Sequence, residues 1–165
     1  MLTYRCTKKL LDRWRERPVE PSPTSTTRLG DWFGTLLFDK PRHLALFVAH
    51  RTLLPVVVEA APIGRLAERH REGLREVLRA LRIPAAAIEA ELAEMEPVAF
   101  AKTNDRVRGG TMNDFIRMLP YGLGRAASLL EESLQLAKAP CGPIGMESPD
   151  DFTKEVFGVP RLRLV

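Results

Sequence analysis

The chain has 165 residues, 45% of them apolar and 28% charged, with a net charge of +4. That length supports one ordinary domain with its own core, and the composition excludes wholesale disorder. Three His and two Cys exclude a rich metal cluster or a disulfide scaffold, and four surplus charges fall short of proving a nucleic-acid partner.

Residues 1–9 carry charges where a secretory signal needs an apolar core. The longest apolar runs, 44–49 and 53–58, are far too short to span a membrane. The expected compartment is the cytoplasm, with no membrane partner. Of the 25 cations, 19 are Arg and 6 are Lys. Arginine suits phosphate and carboxylate recognition, although a biased genome composition produces the same skew without any role.

Residues 2–5 read as a short strand, followed by a helix capped by Thr7 and stopped by Pro18, with Leu10, Leu11 and Trp14 on its inner face. Residues 18–27, rich in Pro, Ser and Thr, read as an extended, mobile surface loop. A strand is expected at 35–38. The runs 44–49 and 53–58, on either side of His50-Arg51-Thr52, suggest an antiparallel hairpin, with Pro55 marking an edge or a bulge. Residues 63–81 keep a 3.6-residue apolar period. The Arg/Glu face of that helix reads as solvated and self-paired, and His70 falls on the apolar stripe.

A second helix is expected from Pro84, a strand at 97–102, and helices at 112–119 and 124–137 separated by Pro120-Tyr121-Gly122. The Pro/Gly-rich tail, 140–165, holds a short helix at 150–156 and packs on the same domain. The expected fold is a single α+β domain over 1–165, with a mixed or antiparallel sheet of about five strands and four or five helices.

One stretch has the form of an anion site. A strand ending at Lys102 feeds the basic, glycine-containing turn Arg106-Val107-Arg108-Gly109-Gly110, which opens a helix. The competing reading is a capping box, with Thr111 as N-cap and Asp114 reaching back to it. No Walker, GxGxxG, GxSxG, HExxH or CxxC pattern occurs, and neither a metal nor a cofactor is called for.

Three functional classes stay open. The first is a nucleic-acid or phosphate-binding module using Arg5, Lys8, Lys9, Arg51, Lys102, Arg106, Arg108 and Asn113, with RNA or DNA as partner. The second is a protein-interaction or regulatory partner without catalysis, exposing Trp32, Phe33 or Tyr121. The third is a metal-independent, ribonuclease-like enzyme built on His50, Arg51, Lys102 and Arg106, with Thr103 or Asn113 orienting substrate. Cys141, in a Pro-Cys-Gly-Pro turn, reads as buried rather than reactive.

The opening Arg5-Cys6-Thr7-Lys8-Lys9-Leu10-Leu11 resembles the start of an uncharacterised bacterial family, a domain of unknown function. Thr27 to Trp32 (TRLGDW), Arg51-Thr52-Leu53-Leu54-Pro55, Ala101-Lys102-Thr103-Asn104, Met112-Asn113-Asp114-Phe115 and the late Pro140-Cys141-Gly142-Pro143 with Ser148-Pro149 extend the resemblance nearly end to end. Thr111 stands where the resemblance implies a serine, and His50 where it implies another polar residue. The resemblance implies one domain that includes the tail, and carries no activity with it.

Overall fold

The computed structural model describes residues 1–39, 42–103, 105–122 and 128–160. Five strands, β1 (Leu2–Cys6), β2 (Trp32–Asp39), β3 (Arg42–Ala49), β4 (Pro55–Glu59) and β5 (Val98–Lys102), form one sheet in the order β4-β3-β2-β1-β5. β1 pairs in parallel with both β2 and β5, while β2–β3 and β3–β4 are antiparallel, so the sheet is mixed. The described helices are α1 (Lys8–Trp14), α2 (Leu66–Ala80), α3 (Ala85–Ala93), α4 (Arg106–Gly122), α5 (Leu129–Leu136) and α6 (Pro149–Val156). The α+β domain is as expected, with six described α-helices where four or five were anticipated.

The alternation of side chains along each strand sorts the core into two clusters. Tyr4, Cys6, Trp32, Phe47 and Val56 face α1, α2 and α3; Phe33, Leu37, Leu46, Val48 and Val57 face α4 and α5. β3 is covered on both sides, and for that reason its run from Leu44 to Ala49 is apolar without alternation and fully buried. On α2, His70 is wholly buried, as its position on the apolar stripe implies. Arginines of α2 pair outside the helix, Arg71 with Glu96 at 2.6 Å and Arg75 with Glu89 at 3.0 Å, while Arg65, just ahead of the helix, pairs with Glu68.

Both sheet edges are partly covered. Leu54 O accepts from the Ala49 N–H and the Ala60 N–H donates to His43 O, which leaves Pro55, Val57 and Glu59 facing outward from β4. Pro55 has no N–H to offer there, and the Val57 N–H donates to Ser133 Oγ on α5 at 2.9 Å, so this edge is a poor template for another strand. At the other edge, the Val19 N–H donates to Phe100 O of β5. Residues 18–27 then cross the open face of β1: Thr3 Oγ1 donates to Pro23 O, and the Thr3 N–H donates to Ser25 Oγ.

Several local expectations are corrected. α1 ends at Trp14, ahead of Pro18, because Arg15 adopts the left-handed conformation and its N–H closes on Leu11 O. β2 begins at Trp32, three residues before the expected start, because its parallel partner Tyr4 lies opposite Trp32. Trp32 and Phe33, offered as an exposed patch, are core residues at 0% and 1% exposure. The side chain of Tyr121 and the expected helix start at 124 lie outside the described residues. α4 runs through 120–122 rather than stopping before them.

The glycine-containing turn is also helix. α4 starts at Arg106, and Asp105 caps it, accepting from the N–H groups of Val107 (2.9 Å) and Arg108 (3.1 Å). Thr111 is therefore not an N-cap; its hydroxyl donates to Val107 O one turn back. Asp114 is exposed and lies 3.7 Å from Arg117. Asp105 caps the helix by satisfying two orphan donors at its start, which offsets part of the helix cost of two glycines, about 1 kcal/mol each, the packing of Met112, Phe115 and Leu119 in the core holding the rest of α4.

Candidate functional site

β1 and β5 lie side by side and parallel, and their carboxyl ends feed helices on opposite faces of the sheet. α1, after β1, packs through Trp14 on Tyr4 and Phe47; α4, after β5, packs on the Phe33 side. In an open sheet with parallel strands, such a divergence leaves a crevice beyond the strand ends, where ligands bind.

Two cavities open at this crevice and share Thr103. The α4-side lobe, of about 420 Å³, is lined by Thr7, Thr35 and Thr103 together with Arg106, Gly109 and Asn113. The α1-side lobe, of about 460 Å³, is lined by Lys8, Arg17 and Lys102, with Asp12 and Glu16 on the same wall. Strand alternation makes the division: Cys6 and Lys102 turn toward α1, and the residues after them, Thr7 and Thr103, toward α4. Thr7 Oγ1 both accepts from the Leu10 N–H, capping α1, and donates to Thr35 Oγ1 at 3.4 Å.

The cations on the sheet and around the crevice differ in their pairing. Arg5 is paired with Asp31 at 2.7 Å, Arg42 with Glu59 and Arg108 with Asp105. Lys8, Arg17, Lys102 and Arg106, by contrast, have no ion-pair or hydrogen-bond partner among the described residues. Burial pushes the Cys6 thiol well above its ordinary range, so Cys6, on the wall of the α1 lobe, stays protonated and is no nucleophile.

Of the residues singled out from sequence, Lys8, Lys102, Arg106 and Asn113 come together around Thr103. Arg5 borders a neighbouring hollow with Lys102, but its guanidinium is held by Asp31 and Ser22. Lys9 is exposed on α1. Arg51 sits at the β3–β4 hairpin and donates to Arg28 O, and Arg108 donates through Nε and Nη2 to His50 O. The first N–H groups of α4 are already taken by Asp105, so any anion in the crevice is held by side chains. His50 is stacked on Phe33, and desolvation followed by Arg108 lowers its pKa, so it is neutral near pH 7. It lines neither lobe. Cys141 is buried, its Sγ–H donating to Ala139 O, and both cysteines are free.

Sequence reasoning missed Arg17, Thr35 and Gly109. Arg17 has no local signal, because only the fold brings the end of α1 back to β5. Thr35 did carry one: it is a lone hydroxyl in the apolar run Trp32-Phe33-Gly34-Thr35-Leu36-Leu37-Phe38.

The family model for a domain of unknown function, DUF6933, matches residues 3–152. The chain belongs to this family. No curated protein and no solved structure matches it. Three segments that carry the family resemblance, at 5–11, 101–104 and 112–115, contribute Thr7, Lys8, Lys102, Thr103 and Asn113 to the crevice; Asn104 lies outside the described residues. Among the described residues, no helix is long and apolar enough to cross a membrane, and no group of three or more His, Cys, Asp or Glu is placed to hold a metal.

Proposed function

We propose that this chain is a binding module for a phosphate-bearing ligand, seated in the crevice at the carboxyl ends of β1 and β5. The observation that carries the reading is the convergence of four unpartnered cations, Lys8, Arg17, Lys102 and Arg106, on two lobes that share Thr103. Cations left without carboxylate partners, beside hydroxyls and an amide in a concave site, match an anion that needs both charge and directed hydrogen bonds. Two hollows of about 420 Å³ and 460 Å³ rimmed by exposed cations favour a small ligand over a nucleic-acid duplex, which is met by a broad basic face. Binding rather than catalysis is favoured, because His50, the one general base nominated from sequence, does not line the crevice.

The test is calorimetric titration with pyrophosphate, and with single-stranded RNA and DNA oligonucleotides, across a salt series. Wild type is compared with a Lys102→Ala/Arg106→Ala double variant. Pyrophosphate binding that weakens with salt and is lost in the double variant supports the reading. Oligonucleotide binding without pyrophosphate binding replaces it with the nucleic-acid reading, and no binding of either at low salt overturns both.

A further inference from the structure

The two lobes differ in chemistry, and that difference points to a class of ligand. Of the four unpartnered cations that line the crevice, the α1 lobe holds three, Lys8, Arg17 and Lys102, against Asp12 and Glu16. The α4 lobe holds one, Arg106; its carboxylate, Asp105, is already occupied by two backbone N–H groups and by Arg108 at 3.4 Å. The rest of that lobe is neutral: three threonine hydroxyls, the Asn113 amide, and an apolar wall from Met112 and Ile116.

Gly109 gives this lobe its shape. A Cβ built there meets nothing within 4 Å, so no packing demands glycine, yet the residue lines the lobe directly. Any side chain at this position would project into open space beside Arg106 and Asn113. Its absence leaves a flat strip of helix backbone, suited to close approach by a planar group.

We infer that the ligand is a nucleoside phosphate, its phosphates among Lys8, Arg17 and Lys102 and its base in the α4 lobe against Gly109, Asn113 and Ile116. This rests on the phosphate reading above and adds the nucleoside. The amide of Asn113 offers a donor and an acceptor side by side, the pairing that reads a base edge. Ile116, half-buried above the core residue Met112, supplies an apolar surface for the face of a ring. Thr103, which lines both lobes, stands between the two ends, where the sugar would sit. About 420 Å³ and 460 Å³ on the two sides is room for a ligand of this size.

The experiment titrates the full chain with pyrophosphate, adenosine, ADP, GDP, CDP and UDP under one salt condition. At least one nucleoside diphosphate is expected to bind about tenfold tighter than pyrophosphate, the contribution of one well-seated base. Gly109→Leu, which fills the α4 lobe, and Asn113→Ala, at an exposed position, should each weaken nucleoside diphosphate binding severalfold more than pyrophosphate binding. Melting curves establish that the variants fold; should Gly109→Leu fail to fold, Asn113→Ala decides alone. If nucleoside diphosphates bind no tighter than pyrophosphate, or if the variants weaken pyrophosphate equally, the nucleoside assignment is overturned while the phosphate reading stands. If neither pyrophosphate nor any nucleotide binds, both fall.

Discussion

The Tyr4 hydroxyl and His70 Nδ1 lie 2.7 Å apart in the larger core, a hydrogen bond that ties β1 to α2 across 66 residues of sequence. The rings of Trp32 and Phe47 pack on His70 with centroids 4.5 Å and 4.3 Å away. Buried so completely, and beside Arg71, the imidazole has its pKa lowered to about 3.

That shift makes the fold acid-sensitive. The unfolded chain takes up a proton at this residue near pH 6.5, whereas the folded chain resists doing so until about pH 3. Between those values the unfolded state binds more protons, so stability falls as pH drops below about 6.5 and this contribution levels off below about 3. Glu91, whose pKa is raised chiefly by burial, acts with the opposite sign, so a single pH series mixes the two. Comparing wild type with His70→Gln isolates the histidine. The variant should be less stable at pH 7 but show a shallower decline in Tm toward pH 4.5. Parallel pH profiles would mean that His70 does not titrate between the two states.

Glu91 is a buried clamp. At 3% exposure, its carboxylate accepts from the N–H groups of Arg28 (2.8 Å) and Leu29 (3.0 Å), fixing the turn that leads into Asp31 and β2. Glu91→Ala leaves two donors without acceptors, at about 1–3 kcal/mol for each that stays buried. Glu91→Gln keeps one acceptor oxygen and should lose less. Urea denaturation of the two variants checks the order, and equal losses would show that the carboxylate acts through its charge.

Two glycines should respond in opposite directions to the same substitution. A Cβ at Gly34 would come within 2.9 Å of Leu10 Cδ2 and Phe47 Cε1, and both of those side chains are fully buried. Gly34→Ala should therefore destabilise by about 1–3 kcal/mol through overpacking. A Cβ at Gly110 meets nothing within 4 Å, so Gly110→Ala should stabilise α4 by about 0.5–1 kcal/mol. Thermal melts of both variants decide the matter.

The start of α4 can be located by substitution. Asp105→Ala removes the acceptor for two N–H groups and should cost about 1 kcal/mol. Asp114→Ala removes an exposed carboxylate paired loosely with Arg117 and should stay within about 0.5 kcal/mol. The reverse order would place the helix start at Thr111.

Much of the fold was legible in local pattern. The unbroken apolar run at 44–49 marked a strand covered on both faces, the 3.6-residue period at 63–81 marked α2, and Pro55 marked an edge strand. The errors fell where local signals compete. Gly109-Gly110 looks like a turn, yet Asp105, four residues earlier, holds the segment in a helix. Arg28, Arg51 and Arg108 look alike in sequence, but nothing local shows that Arg108 and Arg51 are engaged by main-chain carbonyls while Arg28 lies over the ring of Phe157.

The sequence by itself determined one α+β domain, the residue types at the ends of β1 and β5, and the family to which the chain belongs. Periodicity and capping are local, so they survive without knowledge of the partner surfaces. Only the tertiary structure decided which cations are free. Pairing depends on carboxylates and carbonyls distant in sequence: Asp31 holds Arg5, Glu89 holds Arg75, and Lys8, Arg17, Lys102 and Arg106 are left around Thr103. That selection follows from the parallel placement of β5 beside β1, with helices leaving on opposite faces, a long-range contact that no local signal encodes.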